Sequence, residues 1–473
     1  MSSIQTLKTG ISGVRGVVGE SFTPRLVSAF GQAFGTYLDR GRVAIGRDTR
    51  PSGEMVREAL IGALLSAGCS VIDLGIVPVP TLQIALARDE HWDGGIAITA
   101  SHNPQEWNAL KFIRADGIFL YPYQAEELLD VYHQGDFTLV GNDEIGAVGH
   151  DGGACARHLR LLLEHVDVDL IRARRFKVVL DCCNGAGTQL APNLLEALGC
   201  EVVVINGEPT GHFARPPEPI PANLGALAEA VRAHGANAGF AQDADADRLC
   251  LVTEQGVALS EEFTVPLAAE VVASQEPLPL VTNLSASRLL EEVGRRCGCP
   301  VYRAKVGEIN VVEMMQSAAR AWGTTGVSPV EGTPVVPRVF GGEGNGGVID
   351  PRLHYCRDSH RGMCLILEGL ARRGQTLSAW AGSFPPSYMA KLKVPCPAAR
   401  VQRVQLALRQ AFDGEGQLDE TEGLRITWPN HSWLHIRPSN TEPIIRVMAE
   451  ADTEEEADRL AKRAVGLVED ALA

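Results

Sequence analysis

Residues 177–207, KVVLDCCNGAGTQLAPNLLEALGCEVVVING, read as strand, helix and strand in close succession. KVVLD is a β-branched apolar run, and APNLLEALG carries leucines at helical spacing. Gly199 stands where a helix stops, just before EVVVI begins. A strand that returns through a helix in so few residues is a βαβ unit, which favours a parallel sheet covered by helices. The same phrase recurs twice, as ALIGALLSAGCSVIDLG (59–75) after RVAIGRD and as RLLEEVGRRCGCPVYRAK (288–305) after LPLVTN. Cys69, Cys200 and Cys299 mark the three helix ends. Three βαβ units predict three related α/β domains with mixed, largely parallel sheets.

Working outward, LVGNDEIGAVGHDGGA (139–154) is a Gly-rich stretch suited to close the first domain, and EQGVALSEEF (254–263) separates the second from the third. Beyond about residue 370 the texture changes to a helix-like ARVQRVQLALRQAFDG, strand-like LRITWP and SWLHIRP, and a final helix EEEADRLAKRAVGLVEDALA. That order predicts a smaller α+β domain. The expected boundaries are 1–150, 151–255, 256–370 and 371–473, four domains in a chain of 473 residues.

Hydrophobic residues make up 45% and charged residues 21%, the proportions of a globular protein. The 43 Lys and Arg against 58 Asp and Glu leave a net charge of −15, which argues against nucleic acid or an anionic membrane as partner. No apolar run reaches the ~20 residues of a membrane span, and the first residues lack the apolar core of a signal peptide. The eleven cysteines form no C-x-x-C pair and sit mostly in apolar runs, which predicts buried free thiols and a cytoplasmic setting.

Four segments carry chemistry. In GGIAITASHNPQEWNALKF a strand over 94–99 ends in a polar loop holding Ser101 and His102, and Lys111 starts another strand that can return to it. A lone Ser-His is ordinarily a turn, but with a lysine nearby it suits covalent phosphoryl transfer. QDADADRLCLV places Asp243, Asp245 and Asp247 at alternate positions, one side of an extended chain, where like charges need a cation. Oxygen ligands favour magnesium or calcium. An EF-hand is the wrong reading, because Arg248 holds the place of its glycine. FGGEGNGGVIDP contains Gly342-x-Gly344-x-x-Gly347, but Pro351 and a strand-like run follow where a dinucleotide fold needs a helix. Glu343 in this loop can accept sugar hydroxyls. HIRPSNTEPIIRV gathers Arg437, Ser439, Asn440, Thr441 and Arg446, a fork and hydroxyls that suit a phosphate dianion.

Together, in this order and from GISGVRG to RPSNTEPIIRV, the four motifs resemble the α-D-phosphohexomutase family. The resemblance implies three α/β domains and an α+β domain around a central cleft. It implies that Ser101 is the phosphorylated serine, that Asp243, Asp245 and Asp247, with Ser101, hold Mg2+, and that Glu343 and Asn345 read the sugar. Arg15, His102, Lys111, Arg248 and Lys305 match positions lining the family's cleft. The implied activity interconverts a hexose 6-phosphate and 1-phosphate through a hexose 1,6-bisphosphate, in a monomer or homodimer whose partner is a small sugar phosphate. Many members read G-E-x-S-G-H where this chain has Asn345 and Gly347, so a histidine role there does not transfer, and His102 or Lys111 becomes the candidate base. TEPIIRV leans toward phosphoglucosamine mutases, with broad phosphomannomutase/phosphoglucomutase activity the alternative. A sugar-phosphate sensor would tolerate loss of the nucleophile or metal ligands, all present here, and an NAD oxidoreductase would rest on glycine strings alone.

Overall fold

The computed structural model describes residues 6–10, 13–89, 91–323, 337–439 and 443–473. Its described strands form four sheets. In the first three, the repeated phrase forms a parallel strand pair, and its second strand is the sheet edge in the second and third. Gly41–Arg47 pairs with Cys69–Ile76, Lys177–Asp181 with Glu201–Ile205, and Leu280–Asn283 with Val301–Ala304. Gly68, Gly199 and Gly298, each just before its cysteine, take φ of 80°, 77° and 67°. Only a residue without Cβ adopts that left-handed conformation at little cost, so the helix ends there.

Antiparallel partners complete each sheet: Trp107–Arg114 beside Gly94–Ile98, Leu249–Thr253 beside Ala238–Gln242, and Gly347–Asp350 beside Phe340–Glu343. The sheets are therefore mixed, with parallel strands on one side and antiparallel strands on the other. The Gly-rich stretch after residue 139 is more than a loop. Its Val148–His150 adds a short edge strand to the first sheet beside Cys69–Ile76, a place where glycine costs little. The described strands of the fourth sheet are all antiparallel and pack against helices Val401–Ala411 and Glu454–Leu472.

Apolar packing ties the second and third sheets into one core, which joins Leu180, Phe240, Leu280, Phe340 and Trp380. Helix Thr264–Ala273 lies inside it with every residue buried, and its sequence is accordingly apolar on most sides rather than striped, with Glu270 paired to Arg296, Arg373 and Trp380. The first and fourth domains keep cores of their own. All eleven cysteines are free thiols and none is exposed. No helix among the described residues is long and apolar enough to cross a membrane.

Strands of the three α/β sheets end around one cleft of about 450 Å³, lined by Ser101 and His102 from the first domain, Arg248 from the second, and Glu343 from the third. Ligand clefts of open α/β sheets lie at such carboxyl ends, and this volume suits a hexose phosphate.

Candidate active site

Strand Gly94–Ile98 stops at the cleft, and Ser101 then takes φ 49°, an uncommon conformation for a residue with a side chain. Its surroundings hold it there. The Ser101 N–H donates to Thr99 Oγ1 at 3.0 Å, and that hydroxyl donates to Asp48 at 2.7 Å. The buried Arg50 guanidinium donates to the carbonyls of Ser101 and Asn103, both at 2.7 Å, and further to those of Pro104 and Trp107. Asp48 accepts from Arg50 Nε at 3.0 Å and so fixes the fork. The result is a serine hydroxyl turned to the second domain, donating to Asp243 Oδ2 at 2.9 Å.

Asp243, Asp245 and Asp247 do converge, but not as alternate residues of an extended strand. They lie in a tight turn between strands Ala238–Gln242 and Leu249–Thr253, with Ala246 at φ 56°. Asp243 Oδ1 accepts the N–H groups of Asp247 and Arg248, both at 3.2 Å, and this wraps the turn around the carboxylate. Oxygen atoms of all three carboxylates come within 4.8 Å of one another.

The electrostatics divide the three carboxylates. Burial, then the neighbouring Asp245 and Asp247, pushes Asp243 well above the usual carboxylate range. Burial would raise Asp245 too, but Lys111, which donates to it at 2.8 Å, together with Arg357 holds it well below that range. Asp245 Oδ1 and Asp247 Oδ1 are buried without a hydrogen-bond partner. Three carboxylates, two of them with orphaned oxygens, and a serine hydroxyl form an all-oxygen set that fits a hard divalent cation such as Mg2+.

The other expected cations and the histidine gather nearby. Arg248 reaches within 3.8 Å of Asp243 and 3.7 Å of Asp247. Arg15 donates to Asn103 in the serine loop at 3.3 Å. Lys111 lies in mid-strand opposite Ala97, so the hairpin rather than a strand start brings it to the aspartates. Arg248, burial and Arg15 hold the His102 imidazole well below its ordinary value, so it is neutral at physiological pH.

Glu343 is 3% exposed and heavily engaged. It accepts from Asn283 at 3.1 Å, the Gly307 N–H at 3.0 Å and Arg357 at 2.8 Å, with Asn345 Nδ2 at 3.5 Å. Lys305 is exposed at the end of strand Val301–Ala304, next to Val306 and Gly307 of the cleft wall. In the fourth domain Arg437 and Arg446 face each other across paired strands, and the Ser439 N–H donates to Ile444 at 2.9 Å. Glu422 joins this domain to the cleft, accepting from Arg437 at 3.3 Å and from the Val306 N–H at 2.6 Å. Asn440 and Thr441 lie outside the described residues.

Three cleft-side residues escape a reading of the sequence. Arg50 follows an ordinary GRDT turn, and Arg357 is a lone arginine in HYCRD. Glu308 opens helix Glu308–Ala321, where an acid usually signifies no more than the helix dipole. Burial in fact pushes Glu308 up to about 7, against the pull of Arg357. No motif announces such residues, because most of their partners lie tens of residues away along the chain.

A serine hydroxyl set against an acidic metal-type cluster, with arginines, a lysine and a histidine around a hexose-sized cleft, is the equipment of a phosphoryl-transfer enzyme. Comparison with known proteins makes the class definite. Four consecutive domains of phosphoglucomutase/phosphomannomutase match the chain: α/β/α domain I over residues 6–139, domain II over 156–256, domain III over 261–388 and the C-terminal domain over 389–467. A Thermococcus kodakarensis protein named "Phosphoglucomutase/phosphomannomutase" is 38% identical, with 98% of each chain covered. A Methanopyrus kandleri protein named "Probable phosphoglucosamine mutase" is 37% identical, with 97% of each covered. The crystal structure of a phosphoglucomutase/phosphomannomutase family protein from Burkholderia thailandensis superposes with a TM-score of 0.81 at 25% identity, covering 99% of this chain and 98% of that one. The chain belongs to the α-D-phosphohexomutase family, and it is a phosphohexomutase.

Proposed function

We propose that this phosphohexomutase interconverts hexose 6-phosphates and 1-phosphates through a phosphorylated Ser101 and a 1,6-bisphosphate, with glucosamine 6-phosphate its preferred substrate. The observation that carries the reading is the Ser101 hydroxyl, held in a left-handed turn 2.9 Å from Asp243 at the wall of the cleft.

In the first half-reaction the free C1 hydroxyl oxygen of the 6-phosphate attacks phosphorus on phospho-Ser101. The new P–O bond forms as the P–Oγ bond breaks, and the C1 hydroxyl proton leaves to a base. Lys111 is committed to Asp245, so His102 is the base we assign. The bisphosphate reorients, Ser101 Oγ attacks the 6-phosphate, and the hexose 1-phosphate leaves with a proton restored to O6. Arg15 and Arg248 hold the moving dianion, while Arg437, Ser439, Asn440, Thr441 and Arg446 hold the phosphate at the other end of the sugar, with Lys305 at the rim. Asp243, Asp245 and Asp247, with Ser101, would hold Mg2+, which when bound neutralises charge on the transferring phosphoryl group.

For the substrate, Asn345 and Gly347 stand where other branches have a hydroxyl and an imidazole, and the carboxyls of Glu308 and Glu343 in the cleft wall favour a protonated 2-amino group. The name of the Methanopyrus kandleri relative supports this. Broad phosphomannomutase/phosphoglucomutase activity is the second reading, supported by the name of the Thermococcus kodakarensis relative. One panel tests both: initial rates with Mg2+ on the 6-phosphates of glucosamine, N-acetylglucosamine, glucose and mannose, for parent and Ser101→Ala, with intact masses. The parent should favour glucosamine 6-phosphate and carry one phosphate, and the variant should lose activity by several orders of magnitude and carry none. Glucosamine 6-phosphate in last place would overturn the substrate assignment, and near-parental turnover by the variant would sink the phosphoserine route.

A further inference from the structure

Arg357, at the end of strand His354–Arg357, lies where the acidic turn of the second domain meets the sugar loop of the third. One terminal nitrogen donates to Asp247 Oδ2 at 2.6 Å, and the other donates to Glu343 Oε2 at 2.8 Å. Its Nε is 3.0 Å from Glu308 Oε2, and its own N–H donates to Glu308 Oε1 at 3.3 Å. A single guanidinium thus joins three carboxylates that would otherwise repel one another. It takes one oxygen of Asp247 and leaves the other, Oδ1, without a hydrogen-bond partner.

Gly347 explains how the arginine fits. Its φ is not in the left-handed region, so the backbone does not require glycine there. The space does. An added Cβ would stand 2.3 Å from Arg357 Cδ and 2.8 Å from Cγ, the middle of the side chain rather than its movable tip. Lysine would not serve in place of Arg357, because a point charge cannot present two parallel donors to two separate carboxylates.

We propose that Arg357 is the positioning residue that fixes the sugar-reading carboxylate Glu343 against the acidic turn through Asp247, and that Gly347 is small in order to admit it. The sugar half of this inference rests on the mutase reading, while the metal half does not. Removing either residue's contribution should loosen both loops at once, and removing both should cost no more than removing one, because they act as a unit.

The test is a double-mutant cycle of Arg357→Met and Gly347→Ala, with Mg2+ affinity measured by calorimetry on the sugar-free protein and KM measured for the best hexose 6-phosphate. Each single variant should weaken Mg2+ binding and raise KM by about tenfold or more, the usual consequence of losing a group that orients a ligand. The double variant should match the worse single one. A melting-temperature loss with both constants parental would show a merely structural arginine and overturn the proposal, as would losses that multiply in the double variant. Should Arg357→Met fail to fold with the shared cation gone from three carboxylates, Gly347→Ala alone decides, since it keeps the arginine and displaces it. A parent inactive on every hexose phosphate would instead remove the mutase reading and leave Arg357 to be judged on Mg2+ affinity.

Discussion

A reactive serine in this fold is the product of residues far from it in the chain. Ser101 in TASHNP is easy to see, yet what shapes its turn is Arg50, about fifty positions earlier and 1% exposed. Its guanidinium binds four loop carbonyls and Asp48, a demand that only a planar fork can meet. Arg50→Lys should therefore lower stability by about 2–3 kcal/mol, since several buried acceptors lose their donors. It should also reduce kcat, because the serine turn relaxes from its left-handed conformation. Urea unfolding and initial rates measure the two effects, and parental values of both would refute the assignment.

Elements here are joined by charges as well as by apolar faces. Strand Gly347–Asp350 ends in Asp350, which accepts from Arg361 Nε at 2.7 Å on the following helix, Ser359–Arg373, and from Arg352 Nε at 2.9 Å. Burial would raise Asp350, but Arg361 and Arg352 hold it down at about 2. Its folded value is depressed, so its contribution is complete above the unfolded value of about 4 and is lost as pH falls through about 2. Asp350→Asn should cost about 3 kcal/mol at pH 7, because it leaves the fully buried Arg361 charge without its partner. The gap between parent and variant should narrow between pH 4 and 2 in chemical unfolding, and a constant gap would contradict the pairing. The charged pairings here are not legible in the sequence, because DPRLHYCRDSHR reads locally as an ordinary polar turn.

For the whole molecule the question is what docks the fourth domain on the other three. Glu450, fully buried on strand Ile444–Ala451, accepts from the N–H of Arg288 at 2.9 Å and from Ser287, Ser387 and Trp433. His435 adds a second tie, bonding Ser285 at 2.8 Å and the Glu422 carbonyl at 2.7 Å. Glu450→Ala should leave several buried donors unpaired and weaken docking by about 2–4 kcal/mol. Small-angle scattering should then show a larger radius of gyration, and KM for the sugar phosphate should rise more than kcat falls. An unchanged radius and KM would show that docking rests on other contacts.

The sequence by itself determined the repeating βαβ units, the helix-stopping glycines, the separate C-terminal α+β domain and the identity of the motif-bearing loops. Those features depend on neighbours a few residues apart, through period, propensity and turn chemistry. Only the tertiary structure decided how the loops meet. It gathered the three aspartates by a wrapped turn rather than an extended strand, brought Lys111 to Asp245 across a hairpin, and set Arg50, Glu308 and Arg357 among partners from distant segments. Ion pairs and buried hydrogen bonds depend on distance and desolvation, and neither is set by separation along the chain.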